Sequence, residues 1–179
     1  KLWARYFAIS DLFGSYHGTV SKSVKFYYNP ATTLFEPILF DGHVGAGKFD
    51  NFILGDFRNK KDSVECDWIC DEYQFYSMFF DNEKFYEEYT SYLEIVSTDI
   101  FVKSVINENR DWLSELNDQI YSRLMLSDKI FHRGLTPYHF DQSLLTRRKQ
   151  LILGRLGEIV TNRIIEKENR LVKHHEIKD

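Results

Sequence analysis

The chain has 179 residues, a hydrophobic content of 43% and a formal net charge of −4. This length and composition predict one globular domain and exclude a chain that is disordered throughout. The acidic balance excludes nucleic acid as the main partner, because the longest basic run is only Arg147-Arg148-Lys149, which we expect on a solvated helix face.

The class of protein is narrowed further by hydropathy and by cysteine content. No apolar run reaches the roughly 18 residues that a membrane-spanning helix needs. Cys66 and Cys70 are too few for a disulfide framework or a four-ligand zinc site, so we expect free, partly buried thiols. The chain starts at Lys1 rather than at a methionine, and we therefore expect it to be part of a longer protein.

The N-terminal part predicts a helix followed by a β-hairpin. Residues 2–13 carry apolar side chains at nearly helical spacing, and Gly14 is suited to end the helix. After a polar loop at 15–23, the strand-like runs VKFYY and LFEPILF flank the turn sequence NPATT. Pro37 inside the second run indicates an edge strand or a bulge.

The middle of the chain changes from an irregular pattern to a helical one. Residues 49–67 are broken and polar, and we expect at most one short helix there. Residues 67–80 and 82–96 show amphipathic spacing, and Asn82 is well placed as the N-cap of the second helix.

The C-terminal part predicts two more helices. Residues 98–125 have the pattern of one long helix, 127–140 form a connection, and the periodic apolar residues of 144–164 indicate a final helix. The tail at 169–179 is polar and is expected to fray. We expect one apolar stripe of the long helix to lie in the core: Trp112, Leu113, Leu116, Ile120 and Leu124. The fold class predicted from these elements is α+β, mainly helical, with a small antiparallel hairpin.

An aspartate stands where the predicted hairpin ends. Asp41 follows the second strand directly, and Gly42, Gly45 and Gly47 come after it. Such a carboxylate has a rigid strand behind it and a permissive backbone ahead of it. A metal-binding aspartate that must meet the phosphates of a nucleotide needs this combination.

These residues carry a resemblance to a known family. The segment SDLFGSYHGTVSKSVKFYYNPATTLFEPILFDGHVG resembles the central part of the CotH kinase-like family, the spore-coat protein H-like atypical protein kinases. The stretches NEKFYEEYTSYL, LNDQIYSRLMLSDK and HFDQSLLTRRKQLILGRL resemble the helical C-terminal half of that family. The resemblance implies a protein-kinase-like C-terminal lobe over residues 1–168, without the N-terminal lobe, followed by the polar tail.

The resemblance implies ATP and Mg²⁺ as cofactors and a protein substrate, such as a coat or surface protein. It also implies an extracellular, envelope or spore-surface location. Asp41 matches the metal-binding aspartate of the family, and the position of its metal-binding asparagine falls at Ser23. The catalytic position falls at His17 or the next residue, where a histidine can act as a base near neutral pH. Lys22 and Gly42 are then expected to contact the nucleotide.

The departures at His17 and Ser23 leave two alternatives open. One is a catalytically degenerate, pseudokinase-like module that serves in binding or assembly. The other is a metal-dependent hydrolase, in which His17, Asp41 and His43 form a two-histidine, one-carboxylate site for zinc or iron. Asp11 is also near in sequence, but a helix over 2–13 would hold it too far back to take part.

Overall fold

A computed structural model describes residues 1–42, 51–58, 72–123 and 142–176 of the chain. The helices in these residues are α1 (Leu2–Phe13), α2 (Tyr73–Phe80), α3 (Glu83–Val96), α4 (Asp99–Glu108), α5 (Arg110–Arg123) and α6 (Gln142–Glu176). Two strands, β1 (Lys25–Asn29) and β2 (Leu34–Ile38), form an antiparallel hairpin, and short 3₁₀ turns cover His17–Thr19 and Leu54–Arg58. The predicted α+β, mainly helical fold with a small hairpin is confirmed.

Helix α1 lies at the centre of the described structure and packs against α3, α6 and β2. Ala4, Phe7, Ala8 and Leu12 form one buried face of the helix, and the buried Tyr6 and Ser10 extend the burial to a second side. The helix ends as predicted at Gly14, whose φ of 60° is left-handed and favours a residue without a side chain.

The core around α1 is built mainly from aromatic rings. Phe7 stacks on Phe80 of α2 with 5.7 Å between ring centroids, and Tyr76 stacks on Phe57 at 4.6 Å. Phe80 also meets the edge of Tyr89 from α3 at 5.0 Å. Aromatic rings bury large areas and prefer such stacked and edge-to-face geometries, so they join α1, α2 and α3 into one core.

The hairpin lies outside this core. Its register pairs Lys25 with Ile38 and Asn29 with Leu34, and most of its apolar side chains are exposed. Pro37 lies in a strand of a two-stranded sheet, as its edge prediction requires. The hairpin is attached to α1 through β2, because the indole N–H of Trp3 in α1 donates to the Phe35 carbonyl at 2.8 Å.

The helix boundaries after residue 80 follow capping residues. Asn82 accepts a hydrogen bond from the Phe85 N–H at 3.0 Å, which confirms the predicted N-cap of α3. The prediction of one helix over 98–125 is wrong, because α4 ends before Asn109 and α5 begins after it. The Asn109 side chain donates to the Val105 carbonyl at 2.8 Å, and this local bond competes with continued helix hydrogen bonding.

Two further expectations for the helical half are also wrong. Trp112 and Leu116 are exposed, so the stripe of α5 to which they belong does not pack into the core at these positions. Arg148 is 2% exposed and therefore does not lie on a solvated face, although its neighbour Arg147 does.

Helix α6 continues to Glu176, into the segment predicted as a fraying tail. The domain boundary at residue 168 stays a prediction.

Some predictions fall on residues outside the described ranges. These are the connection at 127–140, the first residues of the helix predicted at 67–80, the thiols of Cys66 and Cys70, and the site residues His43, Gly45 and Gly47. Among the helices of the described ranges, none combines the length and the apolar character needed to cross a membrane.

Candidate functional site

The loop between α1 and the hairpin is tied to the core on two sides. The Tyr6 hydroxyl donates to the Gly18 carbonyl at 2.9 Å. The Thr19 hydroxyl lies 2.8 Å from the hydroxyl of Tyr76 on α2. These hydrogen bonds are buried, and buried bonds of this kind fix a loop more firmly than solvent-exposed ones. The loop therefore presents the residues next to Gly18 in a defined position.

The same loop lies directly against the end of the hairpin. A Cβ placed on Gly18 would lie 1.9 Å from the carbonyl oxygen of Phe40, so no other residue fits there without a shift of the backbone. Gly42 approaches the loop more loosely, since a Cβ there would lie 3.0 Å from the Ser15 hydroxyl oxygen. Gly18 and Phe40, which approach closely, are the chain neighbours of His17 and Asp41.

His17 and Asp41 form a pair at this contact. His17 Nδ1 lies 2.7 Å from Asp41 Oδ2, and the two side chains are 37% and 41% exposed. Asp41 has a φ of 48°, in the left-handed region that aspartate tolerates better than most residues. Backbone of this kind is concentrated at functional sites. The structure thus brings together the two residues predicted as catalytic.

The other predicted site residues are Lys22, Ser23 and Gly42. The Ser23 N–H donates to the Val20 carbonyl at 3.0 Å, and the Ser23 side chain makes no hydrogen bond to Asp41 in the described structure. Lys22 is exposed in the same turn, and Gly42 is exposed directly after Asp41. The structure therefore joins His17 to Asp41, and the role of Ser23 as a metal ligand stays a prediction.

A second cluster of polar groups lies deeper, and sequence reasoning missed it. Asp11 is fully buried. Its Oδ1 accepts hydrogen bonds from the Tyr16 hydroxyl at 2.7 Å and from the Leu54 N–H at 2.9 Å. Its Oδ2 accepts from the Tyr89 hydroxyl of α3. Every donor comes from a different part of the chain, so Asp11 joins α1, the loop, the Leu54 turn and α3.

Arg148 of α6 completes this buried cluster. Its Nε donates to the Asp11 carbonyl at 2.8 Å, and an Nη donates to the Phe52 carbonyl at 2.8 Å. The same nitrogen contacts the Tyr16 hydroxyl and lies 4.0 Å from Asp11 Oδ1. We call Asp11, Tyr16, Tyr89 and Arg148 the buried Asp11 cluster. It attaches the C-terminal helix to the loop that carries His17.

Burial dominates the electrostatics of this cluster. Desolvation raises the pKa of Asp11 to about 6, although the Arg148 guanidinium and the hydrogen bonds from Tyr89, Leu54 and Tyr16 act in the opposite direction. Burial also raises the pKa values of Tyr16 and Tyr89 well above their usual range, so both hydroxyls stay protonated and can donate. Asp11 has no exposed surface.

The sequence pattern around Arg148 also indicates a buried position, although its neighbours are basic. Among the side chains of α6 that the structure describes, at 143–160, the buried ones are Leu145, Arg148, Ile152 and Leu156. Their spacing of three or four residues is that of a core-facing helix stripe. An arginine within such a stripe predicts a buried partner, because an unpaired buried charge is costly.

The metal ligands available near Asp41 are few. In the described part of the chain, no three histidine, cysteine, aspartate or glutamate side chains lie close enough to hold a metal ion together. His43, the third ligand of the hypothetical hydrolase site, lies outside the described residues. The other two residues of the hypothetical hydrolase site, His17 and Asp41, are in contact in space.

Comparison with known proteins adds no further information on the family. No family model, no curated protein and no solved structure matches this chain. The resemblance to the CotH kinase-like family therefore stays a prediction.

Proposed function

We propose that this chain forms the ATP- and magnesium-binding part of a CotH-like atypical protein kinase that transfers phosphate to hydroxyl groups of a protein. The observation that carries the proposal is the His17–Asp41 pair, with 2.7 Å between Nδ1 and Oδ2 at the exit of the hairpin. Both side chains are more than one-third exposed, so nucleotide and substrate can reach them. By resemblance, a coat or surface protein is the expected substrate.

The donors around Asp41 suit magnesium bound together with a nucleotide. Mg²⁺ keeps several waters and is held in nucleotide sites by one or two carboxylates plus phosphate oxygens. The contact with His17 uses Asp41 Oδ2 and leaves Oδ1 for the ion. The Ser23 hydroxyl is the second oxygen donor that we assign to it. When bound, the ion neutralises charge on the transferring phosphoryl group.

His17 is the residue that we assign to proton transfer. His17 Nδ1 and Asp41 Oδ2 are in ion-pair contact without the geometry of a hydrogen bond, and we assign Nε2 to accept the proton of a substrate hydroxyl. The carboxylate then fixes the orientation of the ring, as carboxylate–histidine pairs do in other sites. Lys22 adds positive charge beside the phosphates, and the backbone at Gly42 allows them to approach closely.

The proposal is tested by titrating ATP into the full-length protein, with and without magnesium, in a calorimeter. Asp41→Asn removes the charge but keeps the shape, and asparagine also tolerates left-handed backbone. We expect magnesium-dependent binding in the unchanged protein and at least a tenfold loss in Asp41→Asn. Asp111→Asn is the matched control, because Asp111 is an exposed carboxylate on α5.

Two results would contradict the proposal. Equal magnesium-dependent affinity in Asp41→Asn and in the unchanged protein would remove Asp41 from the site. Absence of ATP binding at every magnesium concentration would favour the pseudokinase-like binding module instead. That second candidate is supported by the exposed apolar hairpin, in which Phe26, Tyr28 and Phe35 are each about half exposed.

The adjacency of His17 and Asp41 also keeps the metal-dependent hydrolase as a candidate. A two-histidine, one-carboxylate set prefers zinc or iron over magnesium. Elemental analysis of the purified protein separates the two candidates. One equivalent of zinc or iron that is lost in His17→Gln would favour the hydrolase, and its absence together with magnesium-dependent ATP binding would favour the kinase.

A further inference from the structure

The two edges of the hairpin differ in their ability to pair with another strand. Pro37 has no N–H, and the Phe35 carbonyl is occupied by the Trp3 indole. Both groups belong to β2, so the outer edge of β2 is blocked. An exposed edge with free backbone groups is a template for strand pairing, and natural proteins commonly block such edges with proline or cover them.

The register shows which backbone groups of β1 face outward. Phe26 lies opposite Pro37 and Tyr28 lies opposite Phe35. Since Pro37 cannot donate and the Phe35 carbonyl faces Trp3, these two pairs are the non-hydrogen-bonded kind. The N–H and C=O groups of Phe26 and Tyr28 therefore face away from β2. Within the described residues, nothing accepts from or donates to them.

We propose that the outer edge of β1 pairs antiparallel with β1 of a second copy of this chain. The two-fold axis passes through Tyr27, so that Phe26 of each copy lies opposite Tyr28 of the other and all their outward groups form hydrogen bonds. Lys25 then lies opposite Asn29 of the second copy, so no like charges face each other across the axis. Two-fold pairing of one surface with itself is also the commonest symmetry of homo-oligomers.

The side chains next to this edge supply apolar area for the contact. Phe26, Tyr28 and Phe35 cluster on one face of the hairpin, with ring centroids 5.1 and 5.3 Å apart. With Tyr27 on the other face, β1 of each copy offers three rings that are about half exposed. At roughly 100 Å² per ring, two copies bury at most roughly 600 Å². This is below the size of standard interfaces, so we expect a weak dimer with a dissociation constant on the order of 100 μM.

Sedimentation equilibrium over a range of protein concentrations tests the proposal. We expect the mass to rise from 21.4 kDa towards twice that value. Tyr27→Lys places two ammonium groups opposite each other at the axis and should weaken the dimer at least tenfold. Leu34→Lys is the matched control, because Leu34 is a similarly exposed apolar residue of the same hairpin face but belongs to β2. It should leave the dimer unchanged.

A mixing experiment makes the test specific for the axis. Tyr27→Lys and Tyr27→Glu chains should each be monomeric alone and should form a dimer together. Tyr28→Pro provides a second variant, because it removes an outward N–H without removing a hydrogen bond of the hairpin. A monomer at about 500 μM, a dimer that Tyr27→Lys and Tyr28→Pro leave intact, or a mixture that stays monomeric would each overturn the proposal.

Discussion

The buried Asp11 cluster and the His17–Asp41 pair share one short loop, in which Tyr16 of the cluster directly precedes His17, yet their surroundings differ. Asp11 and Arg148 are sealed from solvent, whereas His17 and Asp41 are 37% and 41% exposed. The buried carboxylate accepts three hydrogen bonds from three segments of the chain. The exposed carboxylate has one oxygen next to His17 and is open to a ligand.

The difference indicates a division of roles between the two carboxylates. A buried charge needs all its partners, so the Asp11 cluster must stay intact for the chain to fold. An exposed pair contributes little to stability, so it can exchange partners during binding. Tyr16 belongs to the first group and precedes His17 in sequence, and through it the cluster holds the proposed site in place.

The largest loss in the free energy of unfolding is expected for Arg148→Met. The substitution keeps much of the side-chain volume but leaves the Asp11 carboxylate without its cationic partner and the Asp11 and Phe52 carbonyls without a donor. Removing one member of a buried pair costs about 3–5 kcal/mol of unfolding free energy. Urea denaturation followed by circular dichroism measures this loss.

The neighbouring residue supplies the control for this measurement. Arg147 is exposed on the same helix, and Arg147→Met should change the unfolding free energy by no more than about 0.5 kcal/mol. Equal effects of the two substitutions would mean that the charge run acts as a solvated surface and that Arg148 has no buried role.

The second effect concerns the pH dependence of stability. The pKa of Asp11 rises from 3.8 to about 6 on folding, so the folded state favours the protonated carboxyl. This preference adds at most about 3 kcal/mol to the free energy of unfolding. The added stability is complete below about pH 4 and is lost as the pH rises through about 6. Asp11→Asn has no such titration, so the stability of the unchanged protein relative to this variant should fall over that interval.

Urea denaturation of both proteins between pH 4 and pH 7 measures this difference. A relative stability that rises with pH would show that the attraction of Arg148 outweighs burial and lowers the pKa of Asp11. If Asp11→Asn does not fold, carboxyl ¹³C NMR of the unchanged protein gives the titration of Asp11 directly.

The fold was predictable where local chemistry decides the structure. Gly14, Asn82 and the residues of the hairpin turn each act through bonds to near neighbours, and the elements that they bound were predicted correctly. The break at Asn109 was missed because a helical apolar pattern continues across it. In the structure, Asn109 differs from a helical asparagine by its backbone, with φ −105° and ψ 0°, and by its side-chain bond to Val105.

The candidate site was predictable only in part. The position of Asp41 after the hairpin followed from sequence order, but its contact with His17 depends on the approach of Gly18 to Phe40. Arg148 was placed on the surface because its neighbours are basic, while its buried partner Asp11 lies far away in sequence. Contacts of this range depend on packing between helices, which a single sequence does not specify.

A third prediction tests whether the loop and the hairpin exit form one unit. Gly18→Ala forces a Cβ against the Phe40 carbonyl, so the backbone must move, and overpacking of this kind costs about 1–3 kcal/mol. The same shift should separate His17 from Asp41 and weaken magnesium-dependent ATP binding. Gly42→Ala is the matched control, because its Cβ would meet only the Ser15 hydroxyl, which can rotate away. Equal losses in both variants would contradict a special role for Gly18.

The smallest effect is expected from the exposed pair itself. In a double-mutant cycle with His17→Gln and Asp41→Asn, the coupling in unfolding free energy should stay below about 1 kcal/mol, because exposed pairs gain little from their attraction. It should fall further in 1 M salt, which screens exposed charges. A coupling of several kcal/mol would assign His17 and Asp41 to the stabilising framework, together with Asp11 and Arg148. A small coupling combined with a large loss of ATP binding would show that the Asp41 carboxylate serves ligand binding, since the stability of the folded chain does not depend on it.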